Sequence, residues 1–289
     1  MGTIKIDEHK FSESIEAIND FRDKNTPEGI PQYSFWKQID INGTWVAYAT
    51  NLLNSINLLP TIPPYMANFL NKIGLGIFAQ AKNIKKFFTI PPDMDDSSVN
   101  LALLAFMKET QSPHYEFWNS FNLKKQEFYD KALKYAYRPF GANQTLNPRA
   151  DEIDARTYFV LHKFLERKKA ESDNPSVILP TTWIISFDEQ SQGKVVMPFK
   201  VNNVDATVAA NFLFGLCYQL IMKEVVLNPD LEQMMLDTTD LLVFTVTEML
   251  KERPTLILVY YPSKFDFYWF VSRIVHLLKR HPNSEDPLP

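Results

Sequence analysis

Apolar residues recur at a spacing of three to four through most of the chain, with strict alternation confined to short stretches, so the pattern predicts a mostly helical protein. A short helix is expected around residues 11–21 and a longer one over 46–59, broken by Pro60, Pro63 and Pro64. Amphipathic segments follow at 65–87, at 96–109 and, beyond Pro113, at 115–137. Residues 139–149 read as a loop and 154–169 as the next helix. Strand, turn and strand are expected over 181–187, 188–193 and 194–200, a small β-hairpin set into the helical chain. Helices resume at 205–226, 240–251 and 266–280.

The helix starts resemble one another. Asp96, Asp154, Asp205, Asp240 and Asp266 each precede an apolar helix, and Asp93, Asp151, Asn202 and Asp237 stand three residues before the first four. A side-chain oxygen at such a position satisfies backbone N–H groups of the first turn. Similar helices with similar capped starts suggest an inner ring alternating with outer helices, each burying one stripe against its neighbours. The expected fold is therefore an α/α toroid, with the hairpin near 181–200 beside its mouth. The expected organisation is a polar, irregular segment over 1–34, one toroid domain over 35–280 and a loose tail over 281–289.

Composition narrows the chemistry. The 289 residues are ample for a continuous core, and a net charge of −4 gives no nucleic-acid footprint. With eight glycines there is no GxGxxG or GxxxxGK[ST] phosphate loop. The lone Cys217 excludes an intramolecular disulfide and a thiolate metal site, and its apolar surroundings mark it as a core residue. His9, His114, His162, His276 and His281 form no HxxxH or HExxH pair, so neither a metal nor a cofactor is expected. No apolar run reaches the roughly 18 residues of a membrane span. The first residues lack the apolar core of a signal peptide, which points to the cytoplasm. Sequons at Asn42 and Asn143 would matter if a leader had been removed and the protein were secreted or lumenal.

One stretch concentrates charge. Pro91-Pro92-Asp93-Met94-Asp95-Asp96-Ser97-Ser98 places three carboxylates at the mouth of a strongly apolar helix. Asp96 aligns with the cap-like Asp of the other helices, which assigns it to architecture, and Asp93 has counterparts as well. Asp95 stands where the other starts carry Ile153, Val204, Thr239 and Phe265, so it invites a functional explanation. Crowded carboxylates cannot all ionise, and burial raises a carboxyl pKa further.

The same stretch resembles the P-D-x-D-D-T-A signature of class II terpene cyclases, the squalene-cyclase-like α/α toroids. Phe35-Trp36-Lys37-Gln38 with Gly43-Thr44-Trp45 faintly resembles their Q-W repeat. The resemblance implies Asp95 as the general acid that protonates an isoprenoid alkene or epoxide, with Asp93 and Asp96 tuning it. Trp118, Trp183, Tyr268 and Trp269 could then stabilise a carbocation, core packing being the competing reading of all four. The chain departs from the family in Ser97-Ser98 for Thr-Ala, in lacking further Q-W motifs and in having length for one toroid only. The stretches 198–211 and 260–270 are similar to a group of uncharacterised eukaryotic toroid-like proteins, which supports the fold and leaves the reaction open. Two alternatives stand beside the cyclase. One is a carbohydrate-active toroid using Asp93 or Asp95 as paired carboxylates on a glycan. The other is a non-catalytic toroid that binds a lipid or protein partner. Oligomeric state is not legible.

Overall fold

Local capping chemistry sets where six of the described helices begin. The computed structural model describes residues 8–41, 43–48, 89–141, 147, 149–192, 200–252, 258, 260–261 and 263–282. Helix α1 spans Glu8–Asn19. Strands β1 (Gln38–Ile41), β2 (Thr44–Tyr48) and β3 (Thr89–Ile90) form one antiparallel sheet in that order, with Gln38 opposite Ala47 and Ala47 opposite Ile90. The small hairpin thus lies over residues 38–48. The first residues of the helix expected over 46–59 belong instead to β2; its remainder, the helix expected at 65–87 and the asparagines of both sequons, Asn42 and Asn143, lie outside the described residues.

Helix α2 runs Met94–Glu109. The single helix expected over 115–137 is two, α3 (Tyr115–Ser120) and α4 (Lys125–Tyr135). The cause of the break is Asn122, whose amide donates to the Trp118 carbonyl at 2.8 Å while its own oxygen accepts from Tyr33 and Asn100. Helix α5 covers Ala155–Glu171 behind the cap Asp154. The strand–turn–strand expected at 181–200 is corrected. Residues 181–186 are irregular, Phe187–Ser191 is a short helix α6, and 193–199 lie outside the described residues. Ser186 and Glu189 close a capping box, each side chain meeting the other's backbone N–H, and this fixes a helical turn where alternation alone suggested a hairpin.

Helix α7 (Ala206–Ile221) starts behind Asp205 as expected. The next helix does not start at Asp240. Helix α8 runs Pro229–Phe244, because Asn228 accepts from the Leu231 N–H at 2.8 Å and Pro229 needs no donor partner in the first turn. It continues through a π-helical turn, Thr245–Met249. In helix α9 (Lys264–Arg280) the cap is Ser263, and Asp266 sits inside the first turn.

Helix α7 is apolar nearly all round and buried along its length, as suits a central helix. It runs parallel to α2: Asn211 meets Asp95, Gly215 meets Ser98, and the Gln219 amide donates to the Leu101 carbonyl at 2.6 Å. Gly215 permits this approach, since a Cβ there would sit 2.6 Å from the Ser98 carbonyl oxygen. Helix α9 lies parallel to both, with Arg273 against Asn211 and Arg280 paired to Glu109. The ends from which these helices start are stitched together by backbone hydrogen bonds. Met94 N–H donates to Thr182 at 2.8 Å, Thr182 to Asn203 at 2.9 Å and Asp154 to Asn202 at 2.8 Å. Tyr260, just before α9, donates its N–H to the Asp205 carboxylate at 3.2 Å. A core that includes Leu101, Phe128, Phe164, Phe212, Met234 and Phe267 fills the space between the helices.

Candidate acid–base site

The acidic helix mouth divides into a structural and a chemical part, and the division differs from the one the sequence suggests. Asp93, not Asp96, caps α2. Its Oδ1 accepts from the Asp96 N–H at 2.7 Å, and its Oδ2 accepts from the Phe35 N–H at 3.0 Å. Its backbone N–H donates to Tyr33 at 2.9 Å, and Ser97 closes the same junction by donating to the Asp93 carbonyl at 2.7 Å. Asp93 therefore corresponds to Asp154 and Asp205, and the helix starts align three residues earlier than the expected register. In the true register Asp95 is matched by Arg156, Thr207 and Asp230, with Phe265 the apolar exception, so the contrast with mostly apolar counterparts does not hold. Asp95 is distinguished by what its side chain touches.

Asp95 is 7% exposed, on the second residue of α2. Its Oδ1 accepts from the Asn211 amide on α7, and its Oδ2 accepts from the Tyr261 hydroxyl just before α9. The Asn211 oxygen in turn accepts from the Arg273 guanidinium on α9. Four residues from three helices and one connecting segment thus form a chain, Tyr261–Asp95–Asn211–Arg273. The guanidinium lies 4.2 Å from the Trp269 ring centroid, 4.7 Å from Phe214 and 5.0 Å from Phe270, and its buried Nε–H has no hydrogen-bond partner among the described residues.

The electrostatics follow from this packing. Burial raises the Asp95 pKa; the hydrogen bonds from Tyr261 and Asn211 pull it back, and it settles at about 6. Burial drives Asp93 well above the usual carboxylate range, and the nearby Asp96 carboxyl adds to the rise. Burial raises Asp96 as well. The Tyr261 hydroxyl is pushed up by burial and by the Asp95 charge, so it keeps its proton. Burial lowers the Arg273 pKa, against the pull of Asp95. A carboxyl poised near 6 exchanges its proton close to neutrality. When Asp95 is protonated, the bond to Tyr261 can reverse, because a hydroxyl both donates and accepts. The pair can therefore pass a proton outward through Tyr261.

The four aromatic residues singled out from the sequence do not converge. Trp118 is fully buried on α3 against Tyr33, in the cluster beneath α1. Trp183 bridges Asp93 through its backbone and donates its indole N–H to the Tyr260 hydroxyl at 3.1 Å. Tyr268 is exposed on α9. Trp269, also exposed there, joins the network from outside by lying against Arg273. Asn211, Tyr261 and Arg273 were missed as site residues. The available signal was an amide, Asn211, inside the apolar stretch 206–216 of α7 and a cation, Arg273, just beyond the aromatic stretch 265–270 of α9.

A groove of about 680 Å³ between α2, α7 and α9 has Arg273 in its lining. A second cavity of about 440 Å³ lies by the sheet, among residues such as Asp23, Gln32, Gln38, Trp45 and Lys131. Asp95 lines neither of these two. Among the described residues no group of three or more His, Cys, Asp or Glu side chains is arranged to hold a metal ion, and no helix is long and apolar enough to cross a membrane. Comparison with protein-family models, with curated proteins and with solved structures gives no match.

Proposed function

We propose that Asp95 is a general acid of the terpenoid-cyclase type, acting on an isoprenoid alkene or epoxide in a helical ring. The observation that carries this reading is the environment of its carboxyl: buried, poised near pH 6 and held by Tyr261 and Asn211. In the proposed step Asp95, directly or through Tyr261, gives its proton to the substrate double bond or epoxide oxygen. The carboxylate left behind accepts from Asn211 and Tyr261, with the Arg273 charge one link beyond. Those contacts stabilise the conjugate base and so keep the acid strong enough to act. The same reading takes α2, α7 and α9 as inner helices of an α/α toroid. Their parallel course and their stitched starting ends support it, as does the apolar groove they share.

A glycosidase-like pair is less well supported, because both oxygens of Asp93 are committed to backbone N–H groups. A second reading has a specific observation in its favour. Both Asp95 oxygens already carry hydrogen bonds and Asp95 lines neither described cavity, as a non-catalytic binding toroid would allow. Turnover separates the two. With squalene and 2,3-oxidosqualene as probes, the first reading expects cyclised product from the unaltered chain. It also expects a loss of roughly 100-fold or more in Asp95→Asn. Product formation at an unchanged rate in that variant contradicts the acid. No product from the unaltered chain favours the binding toroid.

A further inference from the structure

We propose that the groove between α2, α7 and α9 binds a long-chain fatty acid as its anion, the chain along the apolar lining and the carboxylate on Arg273. The inference rests on the groove alone and holds whether or not Asp95 is an acid. At about 680 Å³ the groove lies within the range of small-molecule sites. Phe106, Phe214, Tyr218 and Val275 line it, and Phe106 and Val275 stand exposed to solvent there. An apolar chain laid on them would remove that surface from water.

The rim is basic. Arg273, His276, Lys279 and Arg280 all line the groove. Arg280 is offset by Glu109, which also accepts from the Tyr218 hydroxyl. Arg273 is the residue placed to select the head group. Trp269, Phe214 and Phe270 crowd its guanidinium, so its recognition is left to the N–H groups in the plane. One of those nitrogens is held by Asn211, and the buried Nε–H is without a partner among the described residues. A planar two-oxygen acceptor that reaches this edge satisfies the orphaned donor and matches the guanidinium fork. The chemistry that fits is a carboxylate on a single unbranched chain.

The test is calorimetric titration of the full chain with palmitate below its aggregation concentration, beside hexadecanol, which has the same chain and no charge. Palmitate is expected to bind one per chain, and hexadecanol roughly ten- to hundredfold more weakly. Shortening the acid should cost about fourfold in affinity per methylene lost. Arg273→Met should weaken palmitate to the level of the alcohol, and Phe106→Ser, at an exposed position, should weaken both ligands. If Arg273→Met does not fold, the comparison of acid and alcohol on the unaltered chain decides. Equal affinity for the two overturns the proposal. So does binding to phosphatidylserine vesicles without binding to palmitate in solution, which would make the groove a membrane-facing surface. A chain that binds palmitate yet turns over no isoprenoid keeps this inference and loses the proposed acid chemistry.

Discussion

At Asp95 two effects of opposite sign meet in one carboxyl. Burial disfavours the charge, and the hydrogen bonds from Tyr261 and Asn211 favour it, leaving the group at about 6. Removing one of those donors has a defined consequence. Tyr261→Phe takes away a hydrogen bond that stabilises the carboxylate, so Asp95 should titrate higher still. The variant should lose about 1.5–3 kcal/mol at pH 8, where Asp95 is charged, and less at pH 4, where it is neutral. Urea unfolding at the two pH values measures this, and an equal loss at both would show that Tyr261 does not read the charge. The residues of this centre were only partly legible. Asp95 was singled out from a local pattern, but through a register three residues wrong, since Asp93 is the cap. Asn211, Tyr261 and Arg273 lie far from it in the chain, and only the packing of α7 and α9 on α2 brings them together.

Element boundaries follow local chemistry, and they were legible where that chemistry outweighed periodicity. Asp93, Asp154, Ser186, Asp205, Asn228 and Ser263 all cap helices with their side chains. The Ser186–Glu189 spacing of a capping box and the Asn228-Pro229 start were in the sequence, as was Gly43, whose positive φ suits the turn before β2. A reading led by apolar spacing passed over all three. The contact between elements was beyond such reading. Gly215 has no turn or cap to announce it, and its purpose is clear only from the Ser98 carbonyl 2.6 Å from where its Cβ would lie. Gly215→Ala must push α2 and α7 apart. It is expected to cost about 1–3 kcal/mol, despite the better helix propensity of alanine. Because Asn211 is one turn from Gly215, the same variant should also loosen the bond to Asp95. A thermal melt at or above that of the unaltered chain would show that the two helices can yield.

For the molecule as a whole, what positions the site is how three helices lie side by side. Three parallel helices with their starting ends gathered at one level place a carboxyl, an amide, a phenol and a guanidinium in one buried chain. The mostly helical class was legible because it depends on period alone. The arrangement of the helices is a property of distant pairings, which no local pattern encodes. A buried carboxyl whose pKa is raised also leaves a mark on global stability, and the sign can be worked out. The folded state binds the Asp95 proton more tightly than the unfolded chain does. Its contribution is therefore most favourable below about pH 4, the unfolded value, and is lost as pH rises toward 6. Asp93 and Asp96, both raised, act in the same direction in both proteins, so the difference between the unaltered chain and Asp95→Asn reports Asp95 together with the smaller effect of its charge on Asp93. Asparagine fits the site, accepting from Asn211 and donating to Tyr261, and carries no charge. The most direct measurement is the unfolding free energy of both proteins in urea from pH 4 to pH 8. The variant is expected to gain on the unaltered chain through this range, by on the order of 3 kcal/mol at its upper end. A difference that stays flat with pH would mean that Asp95 titrates as an ordinary carboxyl, and would contradict its assignment as the acid.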